Sequence, residues 1–165
     1  MMLLRTLATF ILSAILVACA ISTPEPPPAP DYSDLVITLQ RTACFGTCPI
    51  YKLTVHGDGR VEYEGEQFVA VEGTQTATIT VDQVKALVAA IEQANYFTLP
   101  SNYSAPVTDL PTTITSVTFN RQTKTIENYG GCFGDFAGAD KAPQALCDFE
   151  KLIDTVTNSA QWVGK

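Results

Sequence analysis

The stretch from Arg41 to Gly65, RTACFGTCPIYKLTVHGDGRVEYEG, restricts the fold more than any other part of the chain. Side chains of a strand alternate between its two faces, so a run with period two presents one apolar and one polar surface. Tyr51, Leu53 and Val55 fall on one face of such a run, and Val61 and Tyr63 resume that face after a reversal. Glu62, Glu64 and Glu66 point the other way. The reversal is His56-Gly57-Asp58-Gly59-Arg60, whose glycines accept positive φ at little steric cost. The result is a half-buried antiparallel hairpin, and its apolar face requires a second layer to cover it.

The flanking sequence supplies that layer. Leu35, Ile37 and Leu39 alternate within a first strand over Leu35 to Gln40. Phe68 to Val71 and Thr76 to Thr80 read as further strand material, with a turn at Glu72-Gly73. Thr80 and Gln83 have the spacing of a capping box, and Val84, Leu87, Val88 and Ile91 follow as the stripe of an amphipathic helix ending near Asn95. Pro100 to Pro111 reads as a loop, held by Tyr103 and Leu110. Ile114 to Phe119 and Lys124 to Tyr129 form a second hairpin around Asn120-Arg121-Gln122-Thr123. Gly130 to Lys141 is glycine-rich and irregular. A second helix begins near Pro143 and buries Leu146, Phe149, Leu152, Ile153 and Val156, after which Trp162 folds back on the core. The expected fold is α+β, with antiparallel hairpins in a sheet and two amphipathic helices packed on one face. Residues 35–165 form a single domain in this reading.

The first 34 residues have a different character. Arg5 and the apolar run Leu7 to Val17, about eleven residues long, have the charge and length of an export signal and fall short of a bilayer span. The run ends in Leu16-Val17-Ala18-Cys19, which resembles the lipobox of bacterial lipoproteins. The resemblance implies cleavage after residue 18, acylation of Cys19 with fatty chains such as palmitate, and attachment to a lipid bilayer. Ala20 stands where an aspartate would mark inner-membrane retention, so the chain is similar to lipoproteins sorted to the outer membrane, with the domain facing the periplasm or the cell surface. Residues 19–34 then form a tether whose STPEPPPAPD run favours extended polyproline geometry, at ~3.1 Å per residue.

With Cys19 set aside, Cys44, Cys48, Cys132 and Cys147 remain in an exported domain, which favours two disulfides. A disulfide needs Cα atoms within about 7 Å, whereas residues four apart in an extended strand lie ~13 Å apart. Pairing Cys44 with Cys48 therefore needs a bend, for which Gly46 is suited. The local pairing, Cys44–Cys48 with Cys132–Cys147, is the favoured one; the crossed pairing, tying the first hairpin to the second helix, stays open. Cys44-x-x-x-Cys48-Pro49 is also similar to the copper-binding motif of the Sco-type copper chaperones, which makes Cys44, Cys48 and His56 an alternative metal or thiol-redox set. That family adds a distant histidine on a thioredoxin-like fold. Here His56 lies only eight residues beyond Cys48, in a hairpin turn, and no βαβ pattern surrounds the cysteines.

Other chemistries find less purchase. With one histidine, any Ser-His-Asp scheme would depend on His56 beside flexible glycines. Gly57-Asp58-Gly59 lacks the further carboxylates of a calcium loop, and no phosphate-binding glycine loop or zinc motif is present in the sequence. Asp109, between apolar residues, reads as a turn or cap residue. A formal net charge of −7 and a pI near 4.5 argue against nucleic acid as a partner. The expectation is a non-enzymatic module without cofactor, binding an envelope protein.

Arg41-Thr42-Ala43-Cys44-Phe45-Gly46-Thr47-Cys48-Pro49-Ile50-Tyr51, with Gly57-Asp58-Gly59 and Val61-Glu62-Tyr63-Glu64-Gly65, resembles an uncharacterised bacterial family whose hallmark is Cys-Phe-Gly-x-Cys-Pro-x-Tyr. Val107-Thr108-Asp109-Leu110-Pro111-Thr112 and the Ala142-Pro143 helix with Leu152-Ile153-Asp154 also resemble its pattern, over roughly Leu35 to Trp162. The resemblance implies a fold and a lipoprotein context, and no activity. The chain departs from that pattern at Gly130 to Lys141 with Cys132, and at Cys147. Their joint occurrence fits a second, local disulfide.

Overall fold

The computed structural model describes residues 31–134 and 140–164; the expected leader, Cys19 and the expected tether up to residue 30 lie outside the described residues. Four strands come first: β1 (Val36–Arg41), β2 (Ile50–His56), β3 (Arg60–Gln67) and β4 (Gly73–Thr78). Helix α1 (Val81–Gln93) and a single 3-10 turn (Tyr96–Thr98) follow. The second half contains β5 (Asn102–Ser104), β6 (Thr112–Phe119), β7 (Gln122–Tyr129), α2 (Gln144–Thr157) and the short α3 (Ala160–Val163). The strands form one seven-stranded sheet in the order β4-β3-β2-β1-β6-β7-β5, antiparallel except where β5 runs parallel to β7. The expected α+β architecture is the observed one.

Alternation decides which face is covered. Ile37, Leu39, Leu53, Val55, Val61, Tyr63, Val117 and Ile126 are fully buried, and they meet Val84, Leu87 and Ile91 of α1 and Leu146, Phe149 and Ile153 of α2. Each such side chain contributes roughly 1.5–3 kcal/mol through burial. Two inward threonines of β6 are answered by hydrogen bonds, as buried hydroxyls must be. Tyr96 hydroxyl lies 2.8 Å from Thr115 Oγ1 and donates to its carbonyl at 3.0 Å. Thr113 accepts from Arg41. The Thr80–Gln83 capping box forms, and Gln83 Nε2 also donates to Val156 O at 3.2 Å, linking the start of α1 to the end of α2. Trp162 stacks on Tyr63 with ring centroids 4.9 Å apart.

Three local expectations are corrected. Phe68 to Val71 is not a strand: Phe68 takes a left-handed φ of 56°, and the amides of Ala70 and Val71 donate to the carbonyls of Val163 and Trp162. With those donors engaged by α3, the fourth strand starts at Gly73 rather than Thr76. Second, the Pro100–Pro111 loop contains β5, because buried Tyr103 draws the chain alongside β7. Third, the β6–β7 turn is tighter than expected. Asn120 and Arg121 both adopt left-handed φ, as a two-residue hairpin turn with the twist of its strands requires, and Asp34 Oδ2 accepts from the Arg121 amide at 2.9 Å.

The chain comes into the domain at the end of the sheet where β1 starts, opposite His56 of β2 and Thr118 of β6. There Gly57 passes under Tyr32, so closely that a Cβ would stand 1.8 Å from the Tyr32 carbonyl oxygen. The other end of the sheet carries the Cys44–Cys48 turn and both of the loops that follow β3 and β7. That end is the rim.

Candidate functional site

Registry builds the site. Arg41 pairs with Tyr51 on β2 and with Thr113 on β6, and Thr113 pairs with Asn128 on β7. Tyr51, Arg41, Thr113 and Asn128 therefore form a single transverse row across four adjacent strands at the rim, all on the covered face. Helix α2 lies over this row and offers two carboxylates one turn apart, Glu150 and Asp154. Arg41 Nη2 meets Asp154 Oδ2 at 2.8 Å while its Nη1 donates to Thr113 Oγ1 at 2.6 Å. The Tyr51 and Ser159 hydroxyls each donate to Asp154 Oδ1 at 2.8 Å. At the β7 end, Asn128 Nδ2 lies 3.1 Å from both oxygens of Glu150.

The two carboxylates differ in surroundings. Asp154 has a cation and two hydroxyls. Glu150 is 3% exposed and, among the described residues, has the Asn128 amide and the Cys132 sulfur as its close polar neighbours. Burial pushes its carboxyl up to about 7, against the Asn128 hydrogen bonds and the Arg41 charge, which favour ionisation, and with the repulsion of Asp154. Burial works most strongly against the charge on Arg41, but Asp154, Tyr51 and Glu150 together outweigh it and the guanidinium is held above its ordinary value. Tyr51 is pushed up by burial and then by the Asp154 carboxylate, so its phenol stays protonated and donates. Asn128 Oδ1 is buried without a hydrogen-bond partner among the described residues.

Both disulfides stand at the rim, in the local pairing: Cys44–Cys48 and Cys132–Cys147, each with Cα atoms 5.7 Å apart. The first closes the β1–β2 connection. Thr42 anchors it by exchanging hydrogen bonds with Thr112, and the Phe45 amide donates to the Asp109 carbonyl at 3.3 Å. The second ties the loop after β7 to the first turn of α2. A pocket of about 260 Å³ opens between the Cys44–Cys48 turn and α2, lined by Arg41, Cys48, Pro49, Tyr51, Pro111, Asp154 and Val163. A shallower groove of about 450 Å³ continues from Asp154 along α2 and α3.

Residues 35–157 match the model of a protein family described as a domain of unknown function, DUF6438. The chain belongs to this family. No curated protein shows significant similarity to it. Within this DUF6438 domain, the residues quoted above for the family resemblance gather at one place. Arg41, Cys48, Pro49 and Tyr51 come from the cysteine motif, Pro111 from the later loop and Asp154 from the second helix, and all six line the same pocket.

The other candidates fall elsewhere. His56 sits at the opposite end of β2 from Cys48, roughly 20 Å away by strand rise, so Cys44, Cys48 and His56 are not brought together as a metal or redox set. His56 instead approaches Glu62 at 3.4 Å, beside the Arg60–Glu62 ion pair on the open face of the sheet. Among the described residues no group of three His, Cys, Asp or Glu side chains is close enough to hold a metal ion. Glu62, Glu64 and Glu66 do occupy the uncovered side of β3. Cys19 lies outside the described residues.

Asn128 and Glu150 are members of the site that the motifs in the sequence do not single out. Glu150 carried a signal, since it falls inside the α2 stripe between Leu146 and Ile153, where a charge needs a partner. Arg41 carried another, as the next inward position after Leu35, Ile37 and Leu39.

Proposed function

We propose that this chain is a bacterial envelope lipoprotein, anchored to the outer membrane through acylated Cys19, and that its DUF6438 domain is a non-catalytic module binding an envelope protein through the rim. The observation that carries the reading is the placement of exposed aromatic side chains. Among the described residues the exposed large hydrophobics are Phe45, Phe68, Val81 and Phe133, and the three phenylalanines all sit on rim loops. Phe45 is 87% exposed at the tip of the Cys44–Cys48 turn, directly beside the pocket. Phe68 follows β3 and Phe133 follows β7, four strand spacings or roughly 19 Å apart.

Aromatic anchors around a small, mostly apolar pocket suit a protein surface, where a few large side chains carry most of the binding energy. The ion pair at the pocket floor is already satisfied internally, so the pocket favours an apolar side chain over a charged one. The acidic balance of the chain disfavours phosphate-bearing partners. The leader and the Leu16-Val17-Ala18-Cys19 run support the lipid anchor, and the tether would leave the rim as the far end of the domain.

The test is site-specific photocrosslinking in cells, with the crosslinker placed at Phe45, at Phe133 or at Thr76 on β4. A shared protein adduct from the two rim positions, absent from Thr76, is expected. Adducts from Thr76 alone, or none from either rim position, would overturn the rim as the binding surface. Loss of palmitate labelling in Cys19→Ala tests the anchor separately.

A further inference from the structure

Among the described residues, Cys132–Cys147 has a buried carboxyl in direct contact with one of its sulfurs. Glu150 Oε2 stands 3.6 Å from Cys132 Sγ, and Asn128 Nδ2 lies 2.9 Å from the same sulfur while contacting both carboxylate oxygens. Cys132 is exposed and Cys147 half-buried, so the bond is open to solvent on one side and backed by a buried carboxyl on the other. Burying a carboxyl in an apolar helix stripe without a cation in direct contact is costly. Asp154, one turn on, shows what a structural carboxylate in this helix looks like: it is paired with Arg41 and bonded to two hydroxyls.

We infer that Cys132–Cys147 is a thiol–disulfide exchange site, with Glu150 as the proton donor to Cys132 and a cysteine thiol of another protein as the reaction partner. The partner thiol first loses its proton to solvent. Its thiolate attacks Cys147 Sγ, forming a mixed disulfide, and the Cys132–Cys147 bond breaks with its electron pair on Cys132. The Glu150 carboxyl then protonates the departing Cys132 thiolate, and the carboxylate regains a proton from solvent. The partner sulfur is oxidised and Cys132 is reduced; a second partner thiolate attacking the partner sulfur of the mixed disulfide releases Cys147 and completes a two-electron transfer.

Asn128 suits both protonation states of Glu150. Its Nδ2 donates to the carboxylate and to sulfur, and after a half-turn of the amide its unpartnered Oδ1 accepts from the carboxylic acid. The groups facing Glu150 are few. Arg41 reaches it from β1, Asn128 from β7, Asp154 from its own helix and Tyr96 from the 3-10 turn. Burial raises Glu150 to about 7, so at neutral pH a large share of the molecules still carry a proton to give, and more do at lower pH. This inference is independent of what the rim binds.

The experiment is reduction of the full-length protein by dithiothreitol between pH 5.5 and 8.5, followed by alkylation and peptide mapping of both disulfides. Rates are divided by the dithiothreitol thiolate concentration. For Cys132–Cys147 the corrected rate should fall roughly tenfold between pH 6 and pH 8, as Glu150 loses its proton. Cys44–Cys48, which has no such acid, should stay flat. Glu150→Gln should flatten the Cys132–Cys147 profile and bring its rate at pH 6 down to its value at pH 8. A flat corrected profile in the unaltered protein, or the same slope in Glu150→Gln, overturns the inference. The comparison of two disulfides in one unaltered molecule stands even if the variant does not fold.

Discussion

Glu150 shows how much one side chain can set for this domain. Its carboxyl ordinarily titrates near 4.5 and is raised to about 7 when folded, so the native state holds its proton more tightly than the unfolded chain does. The stabilisation from the protonated group is complete below about pH 4.5 and is lost as pH rises through 7. At ~1.4 kcal/mol per unit the loss is roughly 3 kcal/mol. Urea denaturation from pH 4.5 to 8 should therefore show the stability difference between the native protein and Glu150→Gln drifting toward the variant as pH rises; a constant difference would contradict it. The sequence held half of this. Charged residues at Arg41 and Glu150 could be seen on faces that are otherwise apolar, but which partners they meet depends on registry between strands about seventy residues apart, Arg41 opposite Thr113. Local periodicity carries no such information. His56 misled for the same reason: closeness to Cys48 in sequence became the full length of β2 in space.

At the scale of elements, strong local rules held and weak ones yielded. The capping box and the stripe that define α1, and the alternation that defines β2 and β3, satisfy their own backbone and bury their own face. Phe68 to Val71 had strand-like composition, but its amides found α3 rather than a neighbouring strand. β5 is three residues long and pairs in parallel with β7, a contact that only the finished sheet supplies. The disulfides act at this scale too. Loop-closure entropy assigns ~2 kcal/mol to Cys44–Cys48, separated by 4, and ~3 kcal/mol to Cys132–Cys147, separated by 15. Replacing both cysteines of each pair by serine should lower the urea midpoint more for Cys132/Cys147 than for Cys44/Cys48. The reverse order would mean that the Cys44–Cys48 turn supports the row of Tyr51, Arg41, Thr113 and Asn128 beyond its loop entropy.

For the molecule as a whole, the two ends of the sheet have separate duties. One receives the chain at Tyr32 and Leu35; the other collects both disulfides, the pocket and three exposed phenylalanines. Exposed side chains away from the core contribute within about 0.5 kcal/mol each. Phe45→Ser with Phe133→Ser should thus leave thermal unfolding nearly unchanged while abolishing adducts from a crosslinker placed at exposed Thr47 of the Cys44–Cys48 turn; a large drop in Tm would show that these rings hold the fold. β1, the first strand of the domain, is also the middle strand of the seven, hydrogen-bonded to β2 on one side and β6 on the other. A pull on the N-terminal end with the rim held fast runs along the axis of that strand. With the rim held through the loops after β3 and β7, the pull loads both ladders at once in shear, so their bonds must yield together rather than one after another as in an unzipped edge. The domain's mechanical strength is thereby concentrated where a tethered protein would feel tension.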